Sequence, residues 1–67
     1  MKKAIILAIG NELVEGLIVD TNSKYLSSKL KSFGYYVIRT ETLPDILEVI
    51  VNRLRFAIED ADLVITS

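Results

Sequence analysis

Ala4-Ile5-Ile6-Leu7-Ala8-Ile9 runs directly into Gly10-Asn11-Glu12-Leu13-Val14-Glu15-Gly16-Leu17-Ile18-Val19-Asp20-Thr21-Asn22, and the reading of this stretch decides the rest. Six consecutive apolar residues suit a strand covered on both faces, as in a parallel sheet. The segment that follows hands the strand over to an amphipathic pattern, and in open α/β sheets ligands bind at such handovers. It carries the glycines Gly10 and Gly16, the carboxylates Glu12, Glu15 and Asp20, and a Thr21-Asn22 pair at a helix start. A purely structural connection needs less polar chemistry than this.

Working outward, Asp20 or Thr21 can accept the free amide hydrogens of a first helical turn, and Leu26, Leu30 and Phe33 recur at helical spacing until Gly34. The spacing predicts a helix over 21–33 and a strand over 35–40, β-branched and aromatic at first and then polar, as suits a sheet edge. Pro44 keeps Thr42-Leu43 out of the helix, Asp45 is a ready cap, and Glu48 completes a capping-box spacing. A second helix is expected over 45–59. Ile46, Leu47, Ile50, Val51, Leu54, Ala57 and Ile58 fill one arc of its wheel, the expected buried face. Val49 and Phe56 fall outside that arc and form an apolar stripe expected to pack against further chain or another subunit. Residues 62–67 read as a third strand, apolar through its middle.

The order β-α-β-α-β implies an α/β, Rossmann-like, three-layer α/β/α arrangement with parallel strands joined by right-handed crossovers. Strands one and three, being more apolar, are expected inside and the mixed second strand outside, giving the order 2-1-3. The connections leaving strands one and three then diverge and open a crevice at their carboxyl ends, beside the Gly10–Asn22 segment. A parallel strand that stops at Ser67 without a covering element reads as a cut. The 67 residues are expected to be the amino-terminal part of one longer domain.

Composition narrows the function classes. A chain of 67 residues buries only about 60% of the surface its unfolded form exposes. With no cysteine and no histidine it has neither disulfides nor a zinc site to compensate. Eight basic and nine acidic residues, net charge −1, leave no footprint for nucleic acid or an anionic membrane. The apolar run after Met1-Lys2-Lys3 is too short for a signal peptide or a membrane span, so the reading is a cytoplasmic protein.

Known phosphate loops do not fit. Gly10 and Gly16 are separated by five residues and Leu17 follows, against the four residues and lysine of a P-loop, and G-x-G-x-x-G is absent. Nucleophilic triads lack a histidine or cysteine. Carboxylates beside a helix amino terminus suit a hard metal such as Mg²⁺, or the hydroxyl and phosphate groups of a ligand. On the residues alone, Asp20, Thr21, Asn22 and Asp45 also read as helix caps, Glu12 and Glu15 as solvated loop charges, and Gly10 and Gly16 as backbone geometry.

Gly10-Asn11-Glu12-Leu13-Val14, then Gly16-x-Ile18-x-Asp20-Thr21-Asn22, the Leu30–Gly34 helix end, Pro44-Asp45 and Asp62-Leu63-Val64-Ile65-Thr66 follow one another as in the molybdopterin-binding domain family. The chain resembles that family over its whole length. The family includes MoaB/Mog and MoeA proteins and the amino-terminal domains of CinA, the competence/damage-inducible protein, to which Glu15-Gly16-x-Ile18-x-Asp20-Thr21-Asn22 is most similar. The resemblance implies a ligand-binding set of Gly10, Glu12, Gly16, Asp20, Thr21 and Asn22, with Asp45 as the catalytic carboxylate. Asn11 and Ile46 stand where members often carry acidic residues, so no metal ligand is implied at either position.

It further implies a small phosphate-bearing partner, a nucleotide or a pterin such as molybdopterin, a divalent metal, Mg²⁺ by preference, and a homo-oligomer. CinA-like members are associated with hydrolysis of nucleotide pyrophosphates of the ADP-ribose type, and MoaB/Mog-like members with adenylation of molybdopterin. A non-catalytic binding or regulatory domain is the remaining expectation.

Overall fold

The central strand explains the whole architecture. The computed structural model describes all 67 residues, and in it β1 (Lys2–Ile9) lies between β2 (Tyr35–Leu43) and β3 (Leu63–Thr66), parallel to both. The order 2-1-3 is the expected one. Ala4 through Ala8 are fully buried because both faces of β1 are covered. Alternate side chains serve alternate faces. Ile5 and Leu7 pack with Leu43 and Ala57, while Ala4 and Ile6 pack with Leu30.

The two faces belong to different helices. α2 (Thr21–Ser32) contributes Leu26 and Leu30 to one core and α3 (Leu47–Asp60) contributes Val49, Leu54 and Ala57 to the other. The result is three layers, helix on sheet on helix. Gly34, at φ 87°, ends α2 in the left-handed conformation that a side chain would resist. No helix is long and apolar enough to cross a membrane.

Five expectations need correction. The Gly10–Asn22 segment is not loop throughout, because residues 11–14 form a short helix, α1 (Asn11–Val14), started by Gly10. β2 runs on to Leu43, three residues past the expected 40, since Thr40, Glu41, Thr42 and Leu43 continue the ladder against Ile6 to Ile9. Ile38 is skipped in that ladder, where Ala4 pairs with Val37 and Ile5 with Arg39. Such a bulge re-aims the side chains beyond it.

Asp45 does not cap α3. The helix starts two residues later, with Ile46 at the cap position and no side-chain hydrogen bond there. The backbone N–H of Asp45 is taken by Asn11 Oδ1 at 2.9 Å, and that of Ile46 by the Pro44 carbonyl at 2.8 Å, so the chain turns at Asp45 before it coils.

The buried face of α3 is also rotated from the expected arc. Val49 packs into the core, while Leu47, Val51 and Ile58 stay exposed. The cause lies on β2. Arg53 donates to Glu41 from Nε at 2.6 Å and from Nη2 at 3.1 Å, and Arg39 binds both Glu41 at 2.9 Å and Asp60 at 3.0 Å. These bonds join the Arg53 side of the helix to β2, and Leu47, Val51 and Ile58 lie on the opposite flank. Phe56 remains half-exposed, with the Arg53 guanidinium 5.3 Å from its ring centre. β3, expected inside, is half-buried because no further strand pairs with its outer edge in these 67 residues.

Candidate functional site

The carboxyl ends of the three strands are stitched together by backbone. Gly10 N–H donates to the Leu43 carbonyl at 2.9 Å, Ile9 N–H to the Ser67 carbonyl at 2.9 Å, and Ser67 N–H to the Leu7 carbonyl at 3.0 Å. α1 therefore rises from the middle of the sheet edge. Gly10 is buried in an extended conformation, and the Glu12 carboxylate folds back over it so closely that a Cβ there would meet Glu12 Oε1 at 2.7 Å. Gly16, at φ 75°, makes the turn after α1 in a region costly for any residue with a Cβ.

From Gly16 the chain crosses to α2 through Leu17, Ile18 and Val19, all exposed. Asp20 then caps α2. Its Oδ1 accepts the Ser23 N–H at 3.0 Å and its Oδ2 accepts the Ser23 hydroxyl, and these bonds, the hydroxyl first, hold the carboxyl below its ordinary value of 3.8. Ser23 itself is buried. The cap reading of Asp20 is thus correct as a structural statement, and the carboxylate is an anion at every pH near neutrality.

Between α1, the start of α2 and the tip of β3 lies an open cleft of about 220 Å³ lined by Ile9, Glu12, Leu13, Ile18, Val19, Asp20, Thr21, Asn22 and Ser67. Four of the residues singled out by sequence, Glu12, Asp20, Thr21 and Asn22, come together there. Gly10 and Gly16 shape the chain around it. Asp45 does not line it and stands exposed at the end of β2, tied by its backbone to Asn11, the neighbour of Glu12. Of Glu12, Asp20, Asn22 and Asp45, which the sequence reading expects around one crevice, the first three line this cleft and Asp45 does not.

No group of three or more His, Cys, Asp or Glu is gathered closely enough to hold a metal ion by itself. Two carboxylates in a cleft nevertheless suit Mg²⁺, which commonly takes one or two protein carboxylates and completes its shell with water and substrate phosphate. Sequence reading missed the two residues that fasten this region, Ser23 and Asn11. Ser23 had a usable signal, being third in the helix after an N-cap aspartate. Asn11 had none, since its partner is 34 residues away.

Residues 5–67 match the family described as "Probable molybdopterin binding domain". The chain is similar to CinA-like proteins, 75% identical over 67 residues to one from Fervidobacterium nodosum and 60% identical to one from Thermosipho melanesiensis. Each match takes in 100% of this chain and 16% or 17% of the relative, so the chain spans about a sixth of those proteins. Among solved structures it is similar to the protein CinA, of unknown function, from Thermoplasma acidophilum. The TM-score is 0.93 and the identity 35%, over 97% of this chain and 38% of that one.

Proposed function

This chain belongs to the molybdopterin-binding domain family, and from that premise we propose that its cleft binds a phosphate-bearing nucleotide or pterin. In the longer protein the reaction is metal-dependent hydrolysis of a nucleotide pyrophosphate of the ADP-ribose type. The observation that supports this reading is the convergence of Glu12, Asp20, Thr21 and Asn22 on one cleft at the strand carboxyl ends.

The chemistry of those residues narrows the ligand. A helix amino terminus attracts phosphate, but at α2 an ionised Asp20 already occupies the Ser23 N–H and repels a bare anion. Glu12 and Asp20 are the residues that would hold a divalent cation, which supplies the positive charge that brings phosphate to this end of the helix. The Thr21 hydroxyl and Asn22 amide offer hydrogen bonds to sugar or phosphate oxygens, and Ile18 and Val19 offer apolar surface to a ring.

In hydrolysis the oxygen of water bonds to one phosphorus, the bridging P–O bond breaks, and the bridging oxygen leaves with the other phosphate. Asp45 lies outside the lining of the cleft, and it enters this proposal only as the carboxylate that the family resemblance makes catalytic. The family description favours a second ligand, a pterin in the same cleft, and with it the alternative we propose is that the longer protein transfers an adenylyl group to that pterin.

Titration of ADP-ribose with Mg²⁺ into the isotope-labelled chain is expected to move amide signals at Glu12, Leu13 and Ile18 through Asn22. Shifts confined to other surfaces, or none, would overturn the site. In the longer protein, Asp45→Asn is expected to lower kcat by about 100-fold with the melting temperature unchanged. Parallel loss of activity and stability would make Asp45 a structural residue only.

A further inference from the structure

Gly10 is a glycine for a reason its own backbone does not supply. Its φ of 166° and ψ of 129° are extended values open to any residue, whereas Gly16 and Gly34 sit at φ 75° and 87°, where a side chain is strained. What a side chain at Gly10 would meet is Glu12. The three atoms nearest to a Cβ there are Oε1 at 2.7 Å, Cδ at 3.0 Å and Oε2 at 3.2 Å, the whole of the Glu12 carboxylate.

The backbone under that carboxylate is fastened from both sides. Gly10 N–H donates to the Leu43 carbonyl at 2.9 Å, and the Gly10 carbonyl accepts from Leu13 N–H and Val14 N–H, each at 3.2 Å. A glutamate side chain, by contrast, turns about three χ angles between staggered positions. A Cβ at Gly10 therefore moves the carboxylate and leaves the sheet edge where it is. The Glu12 carboxylate takes part in none of the side-chain hydrogen bonds or ion pairs of the fold. It rests on bare glycine backbone with its oxygens free to ligate, and it belongs to one of the two acidic residues that line the cleft, whereas Gly10 lines no part of it.

We propose that Gly10 is a positioning residue, whose missing side chain seats the Glu12 carboxylate where it meets, together with Asp20, a divalent cation in the cleft. Gly10 thus acts on the ligand through Glu12 and not by touching it. The use of the seat rests on the proposed function, while the seat itself rests on the packing of Glu12 over Gly10.

Gly10→Ala separates this role from a structural one. Alanine suits the extended backbone and narrows the unfolded ensemble, so the melting temperature is expected to stay level or rise slightly. Mg²⁺-dependent binding of ADP-ribose, titrated into the same variant, is expected to weaken about tenfold, as when a group that orients a metal ligand is lost. A second variant asks whether Gly10 acts through Glu12. Gly10→Ala combined with Glu12→Gln should bind no more weakly than Glu12→Gln alone, because both changes remove one contribution. In the isotope-labelled chain without any ligand, a nuclear Overhauser contact between Gly10 Hα and Glu12 Hγ reports the seat, and its loss in Gly10→Ala reports the displaced side chain.

A marked fall in melting temperature in Gly10→Ala overturns the proposal, since Gly10 is then a packing residue. So does unchanged ligand binding in that variant, and so do additive losses in the double variant, which would mean that Gly10 meets the ligand itself. If the wild-type chain takes up no Mg²⁺ and ADP-ribose, the proposed function fails separately. The seat then stands if the Gly10–Glu12 contact is present and lost on substitution, and falls if wild type lacks it.

Discussion

Asp20 has two duties that substitution can separate. As an N-cap it is replaceable by Asn, which caps equally well, so Asp20→Asn should leave stability within about 0.5 kcal/mol while abolishing Mg²⁺-dependent ligand binding. Asp20→Ala should lose both, costing about 1 kcal/mol in urea unfolding. If Asp20→Asn binds Mg²⁺ and ADP-ribose as before, the residue is a cap and nothing more. Glu41 makes the second residue-scale case. It is only 15% exposed between Arg53 and Arg39, and hydrogen bonding from Arg53, followed by Arg39, holds its carboxyl below the ordinary 4.5. A depressed carboxyl stabilises the fold above its unfolded value and loses that contribution as pH falls through the folded one. The urea midpoint should therefore drop as pH is lowered from about 4.5, and drop less in Glu41→Gln, which should already melt a few degrees lower at neutral pH. An acid limb identical in the variant would show that Glu41 contributes nothing to it.

At the scale of elements, β1 governs stability and α3 governs what is left exposed. Ile5, Ile6 and Leu7 are the largest fully buried side chains, and only 10 of 67 residues are well buried, so few others can make good the loss of one. Leu7→Ala should cost about 2–4 kcal/mol, most of the stability a chain this size is expected to have, and the checking measurement is loss of the cooperative unfolding transition. A shift smaller than about 1 kcal/mol would mean that the core around Leu43 and Ala57 collapses into the space. Periodicity found α3 but not its orientation. Its apolar arc is wider than the face the sheet can cover, and the choice between Val49 and the Leu47–Ile58 flank falls to Arg53 and Asp60, which bond to Glu41 and Arg39 on β2. Likewise Asp45 has every sequence attribute of a cap and is not one, because the helix starts at Leu47 with Ile46 in the cap position, while the Asp45 N–H is fixed by Asn11.

Across the whole molecule, the three-layer plan and the 2-1-3 order follow from local sequence. A fully apolar β1 must be covered twice, a polar-ended β2 tolerates an edge, and two crossovers of one hand then place their helices on opposite faces. Glu12, Asp20, Thr21 and Asn22 were legible as a group for the same reason, since they lie within eleven residues of one another and the handover from β1 to α2 brings them together. Tertiary structure alone decided the rest. The position of Asp45 outside the cleft and the rotation of α3 depend on partners that chain order does not reveal. Periodicity and capping preference act over three or four residues, whereas the bonds Asn11–Asp45, Arg53–Glu41 and Arg39–Asp60 exist only after the sheet has brought its strands into register.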